Sequence, residues 1–317
     1  MRFNKIKKID TSNVIIYIAF IFIFIIFSIL LSKVGFLTVY NLMNIGRQSS
    51  LIAIAAVGTT LVLAGGEIDL SLGSTISLTS LITALAFRIN SGYLGIFLSV
   101  ILPVATGIIV GIINGFFVSR LKIPSFLSTL GMMGIISGLA RWITHMKAIP
   151  IANKKFTYFF GSGDLHKIPI LFFWVIFFII IGAVILYGIP LGKKILATGG
   201  NETAAYFSGI NTKNIKWAVF LINGAICGFV GILIAGRLGG ARYDIGDEML
   251  LTVIAATVLG GTALFGGKAS IYGAIVGALL LTMLNNGILL FGLDVPQQMI
   301  IRGFVIILAV AASMKGK

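Results

Sequence analysis

The chain is short of nearly everything a soluble enzyme is built with. Its single cysteine, Cys227, lies in an apolar stretch, which rules out an intrachain disulfide and a thiolate metal cluster. The two histidines, His145 and His166, stand apart at the ends of a polar stretch, and no metal site can be assembled from them. Charged residues fill 10% of the 317 positions, where a soluble domain carries roughly 25%. Acid is scarcer than base, with nine Asp and Glu against 24 Lys and Arg. There is no H-E-x-x-H, no G-x-S-x-G and no pair of aspartates arranged for acid–base hydrolysis. One near-match to a phosphate-binding loop, Gly261 to Ala269, fails at Thr262 and Ala269, where the pattern needs Gly and then Ser or Thr. It also follows an apolar run, not a strand of an α/β sheet. The chain is therefore expected not to be an enzyme, to hold no metal or cofactor, and to bind no ATP itself.

What it has instead is apolar length: 58% hydrophobic residues and a mean hydropathy of +1.09. The pattern predicts an all-α polytopic membrane protein, one membrane domain over 1–317. About ten spans are expected, at roughly 14–31, 47–65, 69–88, 94–118, 124–145, 169–188, 217–236, 250–266, 270–291 and 298–314. Arg2, Lys5, Lys7 and Lys8 precede the first span. That span is longer than a signal-peptide core and is followed by a poor cleavage site, so it reads as a retained anchor. An even number of spans puts both termini on one side. The basic N-terminus, the Lys193/Lys194/Lys213/Lys216 loop and Lys315/Lys317 make that side cytoplasmic. The net charge of +15 is thus a topology signal facing lipid headgroups, with no basic face to lay along nucleic acid. Two polar loops stand out, an outer one at 146–168 and an inner one at 189–216. In the inner loop Asn201 can cap a short helix running through Ser208, with Gly209 as its stop.

Two segments are costly to place in lipid, Gly65-Gly-Glu-Ile-Asp-Leu-Ser-Leu-Gly73 and Gly260-Gly-Thr-Ala-Leu-Phe-Gly-Gly267. Glycine clusters and acids between spans survive where broken helices meet inside a bundle, around something that moves or passes through. Gly65, Gly66, Asp69, Ser71, Gly260, Gly261, Gly266 and Gly267 are the expected gate and helix-break residues. Asp69 has two readings. It caps a helix beginning at Leu70 through the amide of Ser71 or Leu72, or, with Glu67, it couples an ion gradient to transport. Asn114, Asn285 and Asn286 are candidates to line a polar path, and the competing reading makes them interhelical glue. Leu51, Ile54, Ala55, Ala56, Gly66, Gly73 and Leu81 recur 200 residues on as Leu251, Ile254, Ala255, Ala256, Gly266, Gly273 and Leu281, which reads as a parallel internal repeat.

Six segments occur in order: Gly66-Glu-Ile-Asp-Leu-Ser-Leu-Gly-Ser74, Ile123-Pro-Ser-Phe-Leu-Ser-Thr-Leu-Gly-Met-Met133, Gly199-Gly-Asn-Glu-Thr-Ala-Ala-Tyr-Phe-Ser-Gly-Ile-Asn211, Ile254-Ala-Ala-Thr-Val-Leu-Gly-Gly-Thr262, Gly266-Gly-Lys268 and Leu284-Asn-Asn-Gly287. Together they resemble the permease subunits of bacterial ABC importers for ribose and related monosaccharides. The resemblance implies a permease in the bacterial cytoplasmic membrane, a second permease copy, an ABC ATPase subunit that binds the ATP, and an extracytoplasmic sugar-binding protein. It implies that Gly200, Asn201, Glu202, Ala204, Ala205, Gly209 and Ile210 belong to the coupling helix seated in the ATPase, with Ala204, Ala205 and Gly209 as a small-residue docking face. Family members commonly carry an acidic pair just before the Ile-Ala-Ala motif. Here those positions are Leu250 and Thr252, with Asp247 and Glu248 slightly upstream. The substrate is left as ribose, another pentose or hexose, a nucleoside or a sugar-like signalling molecule.

Overall fold

A computed structural model describes residues 11–294, 296–301, 303, 304 and 307. The basic N-terminal cluster, Lys315/Lys317 and the far end of the tenth expected span lie outside the described residues. The helices are α1 (Thr11–Leu30), α2 (Val39–Ala64), α3 (Leu72–Ile89), α4 (Tyr93–Ser119), α5 (Ser125–Thr144), α6 (Lys154–Thr157), α7 (Ile170–Ala183, prolonged by a π turn to Gly188), α8 (Pro190–Gly200), α9 (Glu202–Phe207), α10 (Thr212–Leu238), α11 (Met249–Leu259) and α12 (Ile271–Leu290). Among the described residues, seven of these are long and apolar enough to cross a membrane: α2, α3, α4, α5, α7 with its π turn, α10 and α12.

The first nine expected spans each coincide with a helix among the described residues, with its ends moved. Helix α2 begins eight residues earlier than expected, because Thr38 caps it by accepting from the Asn41 amide. Helix α10 begins at Thr212, capped by Asn211, which shortens the inner loop to 189–211 and makes two helices of it, α8 and α9. The eighth span is the largest departure. Helix α11 stops at Leu259 after 11 residues, about 16 Å of rise, half a bilayer core. Gly261, at φ +91°, turns the chain away before it could continue to 266.

Helices α2, α3 and α10 form the buried centre, and α4 and α7 expose most of their surface. The exposed α4 and α7 are the more apolar and the central α2 and α3 the more polar, as a lipid surround requires. The hydroxyls of Thr59, Thr60, Thr79 and Thr83 each bond the carbonyl four residues back in their own helix, so their burial leaves no donor unmet. Helix α5 breaks the pattern, being as polar as α2 and α3 yet largely exposed.

The 146–168 loop is folded against the end of the bundle remote from α8 and α9. Strand β1 (Ile149–Pro150) pairs antiparallel with β4 (Gly240–Ala241), and β2 (Asp164–Leu165) forms a hairpin with β3 (Ile168–Pro169). Arg47 holds that hairpin with two bonds to the Asp164 carboxylate, 2.6 and 2.8 Å. Nearby, Arg141 lies 3.8 Å from Asp247 and over the Tyr243 ring.

Candidate functional site

The segment between α2 and α3 turns back into the bundle. Gly65 closes α2, and Gly66, at φ +81°, reverses the chain where a side chain would be strained. Glu67 still donates its amide to Val62 O of α2 at 3.1 Å, and beyond it side chains of another helix supply partners for the backbone. The amide of Ile68 donates to Ser125 Oγ at 3.1 Å and that of Leu70 to Thr129 Oγ1 at 3.0 Å, both on α5. Asp69 accepts from the Ser71 amide at 2.8 Å and from the Ser71 hydroxyl at 2.6 Å, as expected. The helix starts at Leu72 and not Leu70, however, with Ser71 at its N-cap, so Asp69 braces the turn ahead of the helix and does not cap it. Its other oxygen accepts from Asn223 of α10 at 2.8 Å, and Asn114 of α4 donates to Ser71 Oγ at 2.8 Å. Asn114, Ser71, Asp69 and Asn223 thus form one buried polar layer across α4, the break and α10. Asn114 Oδ1 is the acceptor of this layer left without a partner among the described residues. Among those residues, too, no cation is paired with Asp69. Three donors reach its two oxygens instead.

Glu67 is handled differently. Its carboxylate is buried and lies 2.7 Å from the ammonium of Lys216 on α10, which lies equally close, at 2.7 Å, to Glu202 in the first turn of α9. Both carboxylates of the break are therefore engaged, and the ion-coupling reading finds neither of them unpaired.

The second break, Gly260 to Ser270, meets the first at a glycine junction. Gly267 donates its amide to Ala64 O at 3.1 Å, while Gly266, at φ +88°, lies on the backbone of Gly199, and Gly66 faces the same residue. A Cβ on Gly266 would stand 2.7 Å from Gly199 Cα, and one on Gly267 2.8 Å from Gly200 Cα. Three segments far apart in sequence, the ends of α2 and α8 and the second break, touch there through bare backbone. Gly260 and Gly261 take no part in it, since Gly260 packs on Gly273 and Ala274 of α12.

Helix α9 forms as its sequence predicts. Asn201 accepts from the Ala204 amide at 2.9 Å, and Gly209 ends the turn at φ +83°. The small-residue docking face does not survive. Ala205 is buried against the rest of the protein, Ala204 and Gly209 are exposed, and Ile210 is half-buried. What α9 presents outward is aromatic, Tyr206 and Phe207, because the helix needs its smallest side chain where it lies on the bundle. A cavity of about 660 Å³ opens beside it, lined by Glu67, Ser119, Lys122, Ser125, Glu202 and Lys216 among others.

The asparagines separate. Asn114 belongs to the polar layer. Asn286 forms a reciprocal amide pair with Asn41, at 3.0 and 2.8 Å, which joins α12 to the start of α2 and is interhelical glue. Asn285 is half-buried on α12, outside the layer. Lys216, Ser125, Thr129 and Asn41 are the residues sequence reasoning missed. A signal existed for the first: a buried glutamate needs a counter-charge, and Lys216 stands at the polar edge of an apolar run.

The sequence profile described as branched-chain amino acid transport system / permease component matches residues 41–310. The ribose import permease protein RbsC of Escherichia coli K12 is 37% identical over 285 residues, 89% of this chain and 88% of that protein. That of Haemophilus influenzae Rd is 36% identical over 280 residues, 87% and 86%. The L-arabinose ABC transporter permease protein AraH of Azospirillum brasilense is 33% identical over 303 residues, 92% and 85%. No solved structure matches the chain.

Proposed function

The chain belongs to this permease family of ABC importers, and from that membership we propose that it forms the translocation path for a small sugar. It is a multi-pass membrane transport subunit and not an enzyme. The relatives' substrates, ribose and L-arabinose, support a pentose or a closely related monosaccharide as cargo.

In this reading an extracytoplasmic binding protein delivers the sugar, and a separate ATPase subunit binds ATP and supplies the work. The permease itself needs no cofactor. Both termini are cytoplasmic, as is the end of the bundle carrying α8 and α9. Helix α9 seats in the ATPase through Tyr206 and Phe207, anchored at Gly200 by the glycine junction, with Gly209 as the flexible end about which it tilts. The observation that carries the reading is α9 itself: a capped, exposed helix whose first-turn carboxylate is wired to a polar break inside the bundle. A second permease copy is supported by α5, a polar helix with Gly131, Gly134 and Gly138 facing open space, a surface suited to another helix or to the path between two copies. The polar layer of Asn114, Ser71, Asp69 and Asn223 closes the path from the side of the break.

The test is recovery of the tagged chain from native membranes in mild detergent, followed by mass spectrometry and an ATPase assay. An ATP-binding subunit that copurifies with the wild type and is lost with Phe207→Glu is the expected result. A chain recovered alone, with no associated hydrolysis, overturns the proposal.

A further inference from the structure

We infer that Lys216 is the positioning residue through which displacement of α9 reaches the 65–71 break. The inference deepens the coupling role given to α9 and rests on that reading for its meaning in transport, but its geometry stands alone.

Three chain segments meet on one ammonium. Lys216 is the fifth residue of α10, a helix held along most of its length against α3 and α4. Glu202 opens α9, and Glu67 follows the reversal at Gly66. Both carboxylate contacts are 2.7 Å, so neither is a bystander. Their exposures differ sharply: the Glu202 side chain is 49% exposed and that of Glu67 8%. A partner that moves α9 acts on the exposed carboxylate, and the buried one registers the result.

Charge sets the direction of the response. Two carboxylates share one ammonium, so the cluster carries a net negative charge. While α9 is in place, the ammonium's three donors are divided between them. Withdrawing Glu202 leaves Lys216 and Glu67 as a neutral buried pair, which tightens. Removing Lys216 leaves Glu67 buried without compensation, and the break is then driven outward to hydrate it. The neighbours of Glu67 are poised to transmit this, because the next amide, of Ile68, is held by one hydroxyl of α5, and Asp69 anchors the polar layer two residues on. The hinge for α9 is Gly209, whose positive φ and open surroundings let the helix tilt without moving α10. About six residues of helix separate Gly209 from Glu202, a lever of about 9 Å.

A purely structural lysine would hold α9 and the break independently. A transmitting one couples them, and a double-mutant cycle read by amide hydrogen exchange on the full-length protein in lipid nanodiscs tells the two apart. In the wild-type background, Glu202→Gln should change exchange at residues 66–70 by about fivefold, the size of a coupling between neighbouring partners. In the Lys216→Met background the same substitution should change it by nothing measurable, and Lys216→Arg should restore the response. Equal responses in the wild-type and Lys216→Met backgrounds overturn the inference, as does no response in the wild type. In the complex reconstituted with its ATPase subunit, the Lys216→Met protein should hydrolyse ATP while radiolabelled ribose uptake falls at least tenfold relative to hydrolysis, and hydrolysis and uptake falling together overturns it. Absence of any ATPase partner for the wild type would sink the importer reading and leave the exchange result intact.

Discussion

The two breaks have the same backbone plan and opposite chemistry. In each, a helix ends at glycine, the next glycine reverses the chain at positive φ, a glycine lies on Gly199 (Gly66 itself in the first break, Gly266 in the second), and a serine precedes the next helix. Gly66 and Gly266 are 200 residues apart, the spacing of the repeat. The first break is then filled with acid: Glu67 reaches Lys216, and Asp69 gathers Ser71 and Asn223. The second closes on itself. Ala263 donates to Lys268 O at 3.0 Å, Ser270 donates its amide to Thr262 Oγ1 at 3.2 Å, and the side chain of Lys268 is exposed. A repeated fold has thus been divided into a part wired to other helices and a part that serves as a bearing surface.

Substitutions placed in both breaks test this division. The largest effect is expected at the junction: Gly266→Ala should lower stability by about 3 kcal/mol or more, because it adds both αL strain and a backbone collision. Gly66→Ala should cost only about 1–2 kcal/mol, since its Cβ would stand 3.3 Å from Gly199 Cα. Thermal unfolding in detergent ranks the pair, and the reverse order would show that the first break carries the junction. Next, Asp69→Ala should cost about 2 kcal/mol by stranding buried donors of Ser71 and Asn223, with Asp69→Asn milder. Thr262→Val, its counterpart in the second break, should cost about 1 kcal/mol by the same reasoning for a single bond. Equal losses would erase the distinction between wired and passive.

Outside both breaks, Asn286→Leu should cost about 2 kcal/mol while Asn41→Leu with Asn286→Leu recovers only part of it, since the double replacement removes the unpaired amide but takes from Phe36 O the donor it has in Asn41. Uptake per folded molecule should not change in either, and a specific loss of uptake would return Asn286 to the path. The smallest effect belongs to Lys268→Gln, within about 0.5 kcal/mol and without effect on exchange at the first break.

Features that depend on a few neighbouring residues were legible. Asn201 and Gly209 delimit α9, Asp69 bonds the Ser71 amide, and the glycine runs mark both breaks, because caps, short turns and positive φ are set within one turn of chain. The inner loop is slightly shorter and α11 much shorter than composition predicts, since Gly260 and Gly261 sit inside a run that stays apolar on both sides. Ala205 was placed on the wrong face of α9, because six residues cannot say which side of a short helix meets a bundle that the rest of the chain builds. The hydroxyls of Ser125 and Thr129 are illegible for a related reason: they satisfy amides 57 and 59 residues away, and nothing in their own surroundings distinguishes them, whereas Lys216 stands out as a cation but its two partners do not.

By itself the sequence determined that this is a polytopic helical membrane protein, where its helices break, and the family it belongs to. Apolar length, glycine and capping residues act locally, and the bilayer admits few alternatives to helix. Only the tertiary structure decided which buried charge answers which: that Asp69 is held by three donors, that Asn286 pairs with Asn41, and that Glu67 and Glu202 share Lys216. Those pairings follow from the energetic need to satisfy every polar group out of water, and the partners are chosen by whichever helices packing brings within about 3 Å.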